Sequence, residues 1–463
     1  MEFEGRNNLD RSKQLGEEKV LKLLVKFSVP AIIGMLVNAL YAVVDRIFVG
    51  NGVGSLGMAG AAIGLPIIFI IMACAMLVGI GANTLVSIRL GEQKKEEAEK
   101  IMGNALTLLI IIPILLTITG LYFLEPLLRL LGASEAVMPY AKTFNSIILL
   151  GAVLQSVGFG MNNFIRSEGN PKIAMFTMLI GAILNIILNP LFIFVFKMGI
   201  AGSATATVIS QGVSAAWVLY YFIWGKSLLK FRLPNFKLKL DIVGKIVTLG
   251  AAPFLMQLAA SVLNAIMNNS LITYGGDVAV SAMSAVMSIT MLFLMPTFGI
   301  NQGVQPIIGY NYGAKKYDRV KEALKLAIIA ATIIVTIGFA VTHLFSQQLM
   351  AMFNSEDTEL IKIGSHAMKI FLIFLPVIGF QIVSSNYFQA VGKPLQASLL
   401  SLSRQVLILI PAMLILPTHF GLEGVLYAGP LSDLVSSIIT GLLLYFELKH
   451  LDKKHQNMQL SEI

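Results

Sequence analysis

The sequence predicts an all-α polytopic membrane protein with twelve transmembrane helices in two parallel six-helix repeats. Three observations carry this expectation. Of the 463 residues, 56% are hydrophobic and only 13% charged, about half the charge of a soluble domain, and the mean hydropathy is +0.80. Apolar runs long enough to cross a hydrocarbon core of roughly 30 Å recur from end to end, and in lipid such runs must close their own backbone hydrogen bonds as helices. The second half also repeats the motifs of the first.

The expected spans are 25–49, 58–88, 101–123, 139–163, 172–196, 201–224, 245–273, 281–309, 322–345, 361–389, 395–417 and 422–446. The opening residues, MEFEGRNNLDRSKQLGEEKVLK, carry both signs of charge and lack the apolar stretch of a cleavable signal. They read as a cytoplasmic tail (1–22). A helical lobe (23–224), a basic cytoplasmic linker (225–244), a second lobe (245–446) and a second cytoplasmic tail (447–463) complete the expected organisation. With the amino terminus inside, every Lys and Arg except Arg46, Arg129, Lys142, Lys197, Lys362, Lys369 and Arg404 falls in a tail, in a cytoplasmic loop or at the cytoplasmic end of a span. That bias follows the positive-inside rule and places the chain in the cytoplasmic membrane with both termini inside. The net charge of +9 therefore orients the protein, and no nucleic-acid partner is expected. The single cysteine, Cys74, lies in an apolar span, so neither a disulfide nor a cysteine metal site is expected.

The repeat is visible in four motifs. Pro30 in FSVPAIIGML answers Pro253 in LGAAPFLMQL, and GEQKKEEAEK from Gly91 answers GAKKYDRVKEA from Gly313. IRSEGNPK at 165–172 answers FQAVGKPL at 388–395, and GIAGSATATVISQ at 199–211 answers GLEGVLYAGPLSD at 421–433. Six helices per copy is an even number, so the copies share one orientation and the substrate path is expected between them. Pro30 and Pro253 are the candidate hinges, since a proline frees a carbonyl and permits a kink and these two recur.

Asp45, within NALYAVVDRIFVG, is the residue hardest to explain as packing. A charge at membrane depth is costly and is commonly functional. At the repeat shift Asp45 answers Asn268 and Arg46 answers Asn269, so the carboxylate exists in one copy only. Out of water, a carboxylate is stabilised by a proton, a metal cation or a counter-charge. It is therefore a candidate ion-exchange group, with Arg46 reaching the outer interface on its long stem. Asn185 and Asn189, four apart on one face of the fifth span, are candidate partners. Asn38, seven residues before Asp45, and Thr207 in the sixth span complete the expected cluster. Asp433 and Arg404 lie mid-span in neighbouring antiparallel helices and are expected to pair as a structural or gating element, with Lys369 as a competitor. His343, His366 and His419 fall near span ends at irregular spacing, and no metal motif is present.

Twelve helices in two lobes, VDRIFVG in the first span, NIILNPLFIF in the fifth and GIAGSATATVISQ in the sixth resemble the multidrug and toxic compound extrusion (MATE) family, in detail its MepA-like bacterial branch. The resemblance covers nearly the whole chain. It implies a secondary antiporter that exports cationic, amphipathic drugs or dyes in exchange for H⁺ or Na⁺ by alternating access, as a monomer and without a cofactor. It also implies that Asp45, Asn185 and Thr207 hold the positions of the family's first-helix acid, fifth-helix asparagine and sixth-helix threonine. Asn189 stands where one branch has a second acid, and the seventh span, APFLMQLAASVLNAIMNNSL, lacks the acid another branch keeps.

For the cargo the chain offers 27 Phe, 12 Tyr and 22 Met. Aromatic faces attract organic cations and methionines repack around varied shapes. Tyr41, Gln155, Met161 and Met256 are the candidate contacts. The alternative transport function is a lipid-linked precursor flippase, which would need more in-span cations than Arg46, Lys369 and Arg404. An enzyme would need paired catalytic groups, and none is present; with no phosphate-binding loop either, the drive is expected to be an ion gradient.

Overall fold

The computed structural model describes residues 12–353 and 356–461, and among them there is no strand. The first repeat comprises α1 (Val20–Val53), α2 (Ser55–Ile63 and Leu65–Gly91), α3 (Lys95–Tyr122), α4 (Met138–Leu150 and Ala152–Ser167), α5 (Pro171–Pro190, continued by a π turn at Leu191–Val195) and α6 (Ile200–Ile223). A helical run over Leu240–Gly313 is broken at Gly276, where φ is 69° and ψ −172°, into α7 (240–275) and α8 (277–313). Then come α9 (Tyr317–Leu344), α10 (Thr358–Phe371 and Leu375–Ala390), α11 (Pro394–Leu402, a π segment Ser403–Leu409, and Ile410–Phe420) and α12 (Leu422–Ser461). The halves of α4 meet at 50° and those of α10 at 52°. With each bent pair taken as one crossing and α7 and α8 as two, the described residues hold the twelve expected apolar helices. Their outer faces keep large apolar side chains exposed, such as Leu115, Ile118, Ile333 and Ile337, as lipid-facing helices should.

The duplication is written in the backbone as well as the residues. Gly54, Gly169 and Gly199 have φ of 86°, 90° and 58°, and their repeat partners Gly276, Gly392 and Gly421 have 69°, 74° and 57°. Glycine reaches this left-handed region without the Cβ clash that other residues meet. Gln93 (62°) and Lys315 (58°) adopt it at equivalent turns without that relief.

By its contacts the chain divides into two compact units: residues 12–18 with Ile33–Gln257, and Lys19–Ile32 with residues 258–461. These limits differ from those expected at 23–224 and 245–446, and glycines explain the difference. In the first unit a Cβ on Gly81 would sit 2.2 Å from the Ile246 carbonyl oxygen, and one on Gly250 would sit 1.7 Å from that of Leu77. The start of α7 therefore packs backbone to backbone on α2, as small residues allow in membranes. In the second unit a Cβ on Gly299 or Gly303 of α8 would sit 2.7 Å from the Ile32 Cα or the Ser28 backbone nitrogen, at the start of α1. Each repeat thus lends the start of its first helix to the other's unit. The division cuts α1 just after Pro30 and α7 shortly after Pro253.

The linker is a docked strap rather than a loose tether. In the first unit Asn104 of α3 donates to the carbonyls of Asn235 (3.0 Å) and Lys237 (3.3 Å) and accepts from the Lys239 amide (2.8 Å), while Thr107 donates to Phe236 (2.9 Å). Arg232 pairs with the buried Glu99 at 2.7 Å. At its start the strap closes over Glu168, which follows α4. This fully enclosed carboxylate accepts from Ser227 Oγ (2.6 Å), Tyr221 Oη (3.0 Å) and the amides of Leu228 (3.0 Å) and Leu229 (3.1 Å). At the other end of the chain, α12 runs on as helix through the described residues of the segment expected to be a tail.

Candidate functional site

Asp45 lies in the last third of α1, in the first unit, where α5 and α6 pack side by side. Asn189 Nδ2 of α5 donates a short hydrogen bond to Asp45 Oδ1, and Ser203 Oγ of α6 donates to the same oxygen at 3.0 Å. Asn189 Nδ2 also reaches Asn185 Oδ1 at 3.5 Å, and Asn185 Nδ2 donates to Thr207 Oγ1 at 3.1 Å. The geometry follows from helix spacing. Asn185 and Asn189 are four apart on α5, as Ser203 and Thr207 are on α6, so each pair shares a face. The helices are antiparallel, so Asn189 lies level with Ser203 and Asn185 with Thr207. The lower rung meets Asp45.

Two features give this cluster its chemistry. Every donor to Asp45 is neutral, and its carboxylate forms no ion pair among the described residues. Both donors converge on Oδ1, leaving Oδ2 without a protein donor among those residues. Asn189 Oδ1, on a fully buried side chain, has no hydrogen-bond partner among the described residues, and an orphaned buried acceptor is costly unless something satisfies it. A carboxylate oxygen and a spare amide oxygen side by side suit a proton or an oxygen-seeking cation such as Na⁺. The backbone adds local freedom here. Pro190 removes the amide that would continue the α5 ladder, and the π turn that follows is a helix defect common at functional sites.

Of the expected cluster, Asn185, Asn189 and Thr207 join Asp45, whereas Asn38 is exposed and stands apart. Ser203 belongs to the cluster and was not anticipated, although its place four residues before Thr207 marks it as sharing that face. Arg46 is exposed, as a snorkelling side chain should be. Tyr41, Gln155 and Met256 are half-buried. Met161 is 0% exposed and in this conformation fills the first unit's interior. Pro30 and Pro253 are both buried.

In the second unit Arg404 Nε meets Asp433 Oδ1 at 2.7 Å. Arg404 sits in the π segment of α11, whose wider turn leaves its carbonyl open to Ser432 Oγ at 2.6 Å. Lys369 is exposed and takes no part. His343 bonds the carbonyls of Phe339 and Lys369, each at 3.0 Å, and His366 contacts Glu423 at 2.6 Å. No group of three metal-ligating side chains occurs among the described residues.

A duplicated bundle of twelve apolar helices, with a carboxylate held by neutral donors inside the first copy, is the architecture of a membrane transporter. The sequence matches the MatE family over residues 30–191 and 253–414, stretches that begin and end at the same repeat shift as Pro30 and Pro253. The chain belongs to the MATE family of transporters and is not an enzyme. It is 24% identical to the multidrug export protein MepA of Staphylococcus haemolyticus over 93% of this chain and 94% of that one. Among solved structures it is similar to the MATE multidrug transporter DinF-BH in complex with R6G, at 42% identity and a TM-score of 0.88, over 94% of this chain and 97% of that one. It is also similar to an outward-facing multidrug resistance MATE transporter, at 28% identity and a TM-score of 0.90, over 96% and 99% of the two chains.

Proposed function

We propose that this protein exports small cationic, amphipathic compounds in exchange for H⁺ or Na⁺ by alternating access, with Asp45 as the exchange group. The observation that carries the reading is a membrane-embedded carboxylate held only by neutral donors from two other helices. Such a group has no ion-pair partner among the described residues, which leaves a mobile cation room to become its partner. When the ion arrives, Asp45 accepts less strongly from Asn189 and Ser203, and the contacts joining α1 to α5 and α6 are rewritten. When it leaves toward the cytoplasm, the carboxylate recovers both donors. A local change of this kind shifts transport only if it is coupled to a two-state element. We assign that element to α1 and α7, with bending at Pro30 and Pro253, where the division between the units cuts both helices.

The names of the relatives support the cargo class: MepA is a multidrug export protein and DinF-BH is described with R6G bound. Tyr41, four residues before Asp45, and the half-buried Met256 would supply adaptable apolar contact. The basic loops support a cytoplasmic position for both termini.

The test is ethidium efflux from cells and from everted vesicles, comparing the wild type with Asp45→Asn at matched expression, with ΔpH and ΔNa⁺ imposed separately. The expected result is export by the wild type under one gradient, which names the ion, and none by the variant. Equal export by both would assign Asp45 a packing role and sink the exchange mechanism. Failure of the wild type to move the dye under either gradient would favour the lipid-linked precursor flippase.

A further inference from the structure

At one end of the first unit, the end that carries the strap, a cavity of about 170 Å³ opens between the last turn of α2, the first turns of α3 and the start of α7. Its walls carry four cations, Arg89, Lys100, Lys239 and Lys245, against two carboxylates, Glu97 and Asp241. Arg89 is held in place by Glu97 at 3.1 Å and by a short bond to Glu92. The three lysines form no ion pair among the described residues. Lys239 is brought to the rim because its amide donates to Asn104 at 2.8 Å, which fixes the strap. The repeat supplies a control. Shifted by 222 residues, as Gly91 is to Gly313, the positions of Arg89, Glu97 and Lys100 hold Asn311, Arg319 and Glu322, and there Arg319 Nε donates to Asn311 Oδ1 at 3.0 Å. At these three positions the first copy carries a net positive charge and the second carries none.

A second observation identifies what such a corner takes. The strap alternates cations with leucines, and Leu233, Leu238 and Leu240 are 85%, 38% and 88% exposed. Val247, just past Lys245 on α7, is 40% exposed. Leucines displayed this openly beside lysines suit a surface whose charges meet phosphates and whose apolar groups meet acyl chains. Free phosphate has no use for them.

We propose that this cavity is a specific site for the phosphate headgroup of an anionic phospholipid, with Lys100, Lys239 and Lys245 as its charged contacts and Leu238 and Leu240 against the acyl chains. The site lies apart from the Asp45 cluster and depends neither on the cargo nor on which face is cytoplasmic. Bound there, the lipid joins strap, α3 and α7.

The test uses the purified full-length chain in detergent, titrated with phosphatidylglycerol or phosphatidylcholine and read by native mass spectrometry. Phosphatidylglycerol is expected to bind in preference. Each lysine-to-glutamine change should weaken it roughly fivefold, and Lys100→Gln, Lys239→Gln and Lys245→Gln together on the order of a hundredfold. Lys230→Gln, on the strap but outside the cavity, should leave binding unchanged. Leu238→Ser with Leu240→Ser should weaken the lipid and leave inorganic phosphate binding unaltered. Should the triple variant elute as aggregate, the single Lys245→Gln carries the same comparison. Undiminished binding by the lysine variants, or equal binding of the two lipids, would overturn the site. Complete displacement of phosphatidylglycerol by millimolar inorganic phosphate would overturn the lipid assignment and make a soluble phosphate the ligand.

Discussion

Two acids, Asp45 and Asp433, lie within the apolar spans, one in each lobe, and they are treated in opposite ways. Asp45 in the first unit meets an amide and a hydroxyl. Asp433 in the second meets a guanidinium at 2.7 Å. In the other copy, the place of Asp45 is taken by Asn268 and that of Asp433 by Gln211, so neither charge is required by the architecture both copies share. Neutral donors hold a carboxylate in position without neutralising it. A guanidinium does both. The same scaffold therefore carries one acid held by neutral donors and one already paired with a cation.

The largest effect expected from breaking this comparison is at Asp45. Asp45→Asn preserves shape and removes the charge, and efflux should fall to that of vesicles lacking the protein while thermal stability in detergent is kept. The second unit should respond in the opposite sense. Arg404→Ala strands a buried carboxylate, which should lower stability by about 3–5 kcal/mol, whereas Arg404→Met with Asp433→Leu should restore it to near the wild-type value, because a well-packed apolar pair often replaces a buried ion pair without loss. Melting curves and efflux on the double variant check this together. If it is stable yet transports nothing, Asp433 belongs to the mechanism and the contrast between the lobes collapses.

Much of this was legible in the sequence because lipid leaves few options. Apolar length marked the helices, and a repeated proline and repeated glycine turns marked the copies. Asp45, Asn185, Asn189 and Thr207 could be grouped because helix periodicity fixes which residues share a face. What could not be read is how helices from different copies exchange. The approach of α7 to α2 depends on Gly81 and Gly250 being small, and many glycines in the chain are small without such a partner. Asn38 shows the reverse limit: it has the right spacing from Asp45 along α1, but spacing along one helix does not say which neighbour that face meets. Glu168 was invisible for a related reason. An acid in a charged loop reads as solvated until a strap is found closed over it.

Glu168 also tests whether neutral donors alone make a carboxylate responsive, here outside the membrane. Burial pushes its pKa from the usual carboxylate value up to about 7, against the opposing pull of its four hydrogen bonds. The docked strap therefore binds the proton more tightly than the undocked one. Its contribution to stability is full below the ordinary carboxylate pKa, is lost as pH rises through about 7, and changes no further above that. The span corresponds to about 3 kcal/mol, at roughly 1.4 kcal/mol per unit. Limited proteolysis of the strap should accelerate between pH 5 and pH 7.5 in the wild type, and Glu168→Gln should flatten that dependence. An unchanged slope in the variant would place the titrating group elsewhere.

The smallest expected effect is the most informative about the coupling ion. Ser203→Ala removes one donor to Asp45 Oδ1, a bond to a charged acceptor that contributes about 1.5 kcal/mol, or about tenfold in an equilibrium constant. The donor favours the bare carboxylate over its protonated form. If H⁺ is the coupling ion, its loss should therefore lower the proton concentration that half-saturates efflux by about tenfold. With Na⁺ the hydroxyl oxygen is also a potential ligand, and losing it should raise the half-saturating Na⁺ concentration instead. The two ions thus predict opposite signs for one conservative change. A half-saturation that moves in neither direction would show that Ser203 only packs α6 against α1, and the exchange cluster would contract to Asp45, Asn189, Asn185 and Thr207.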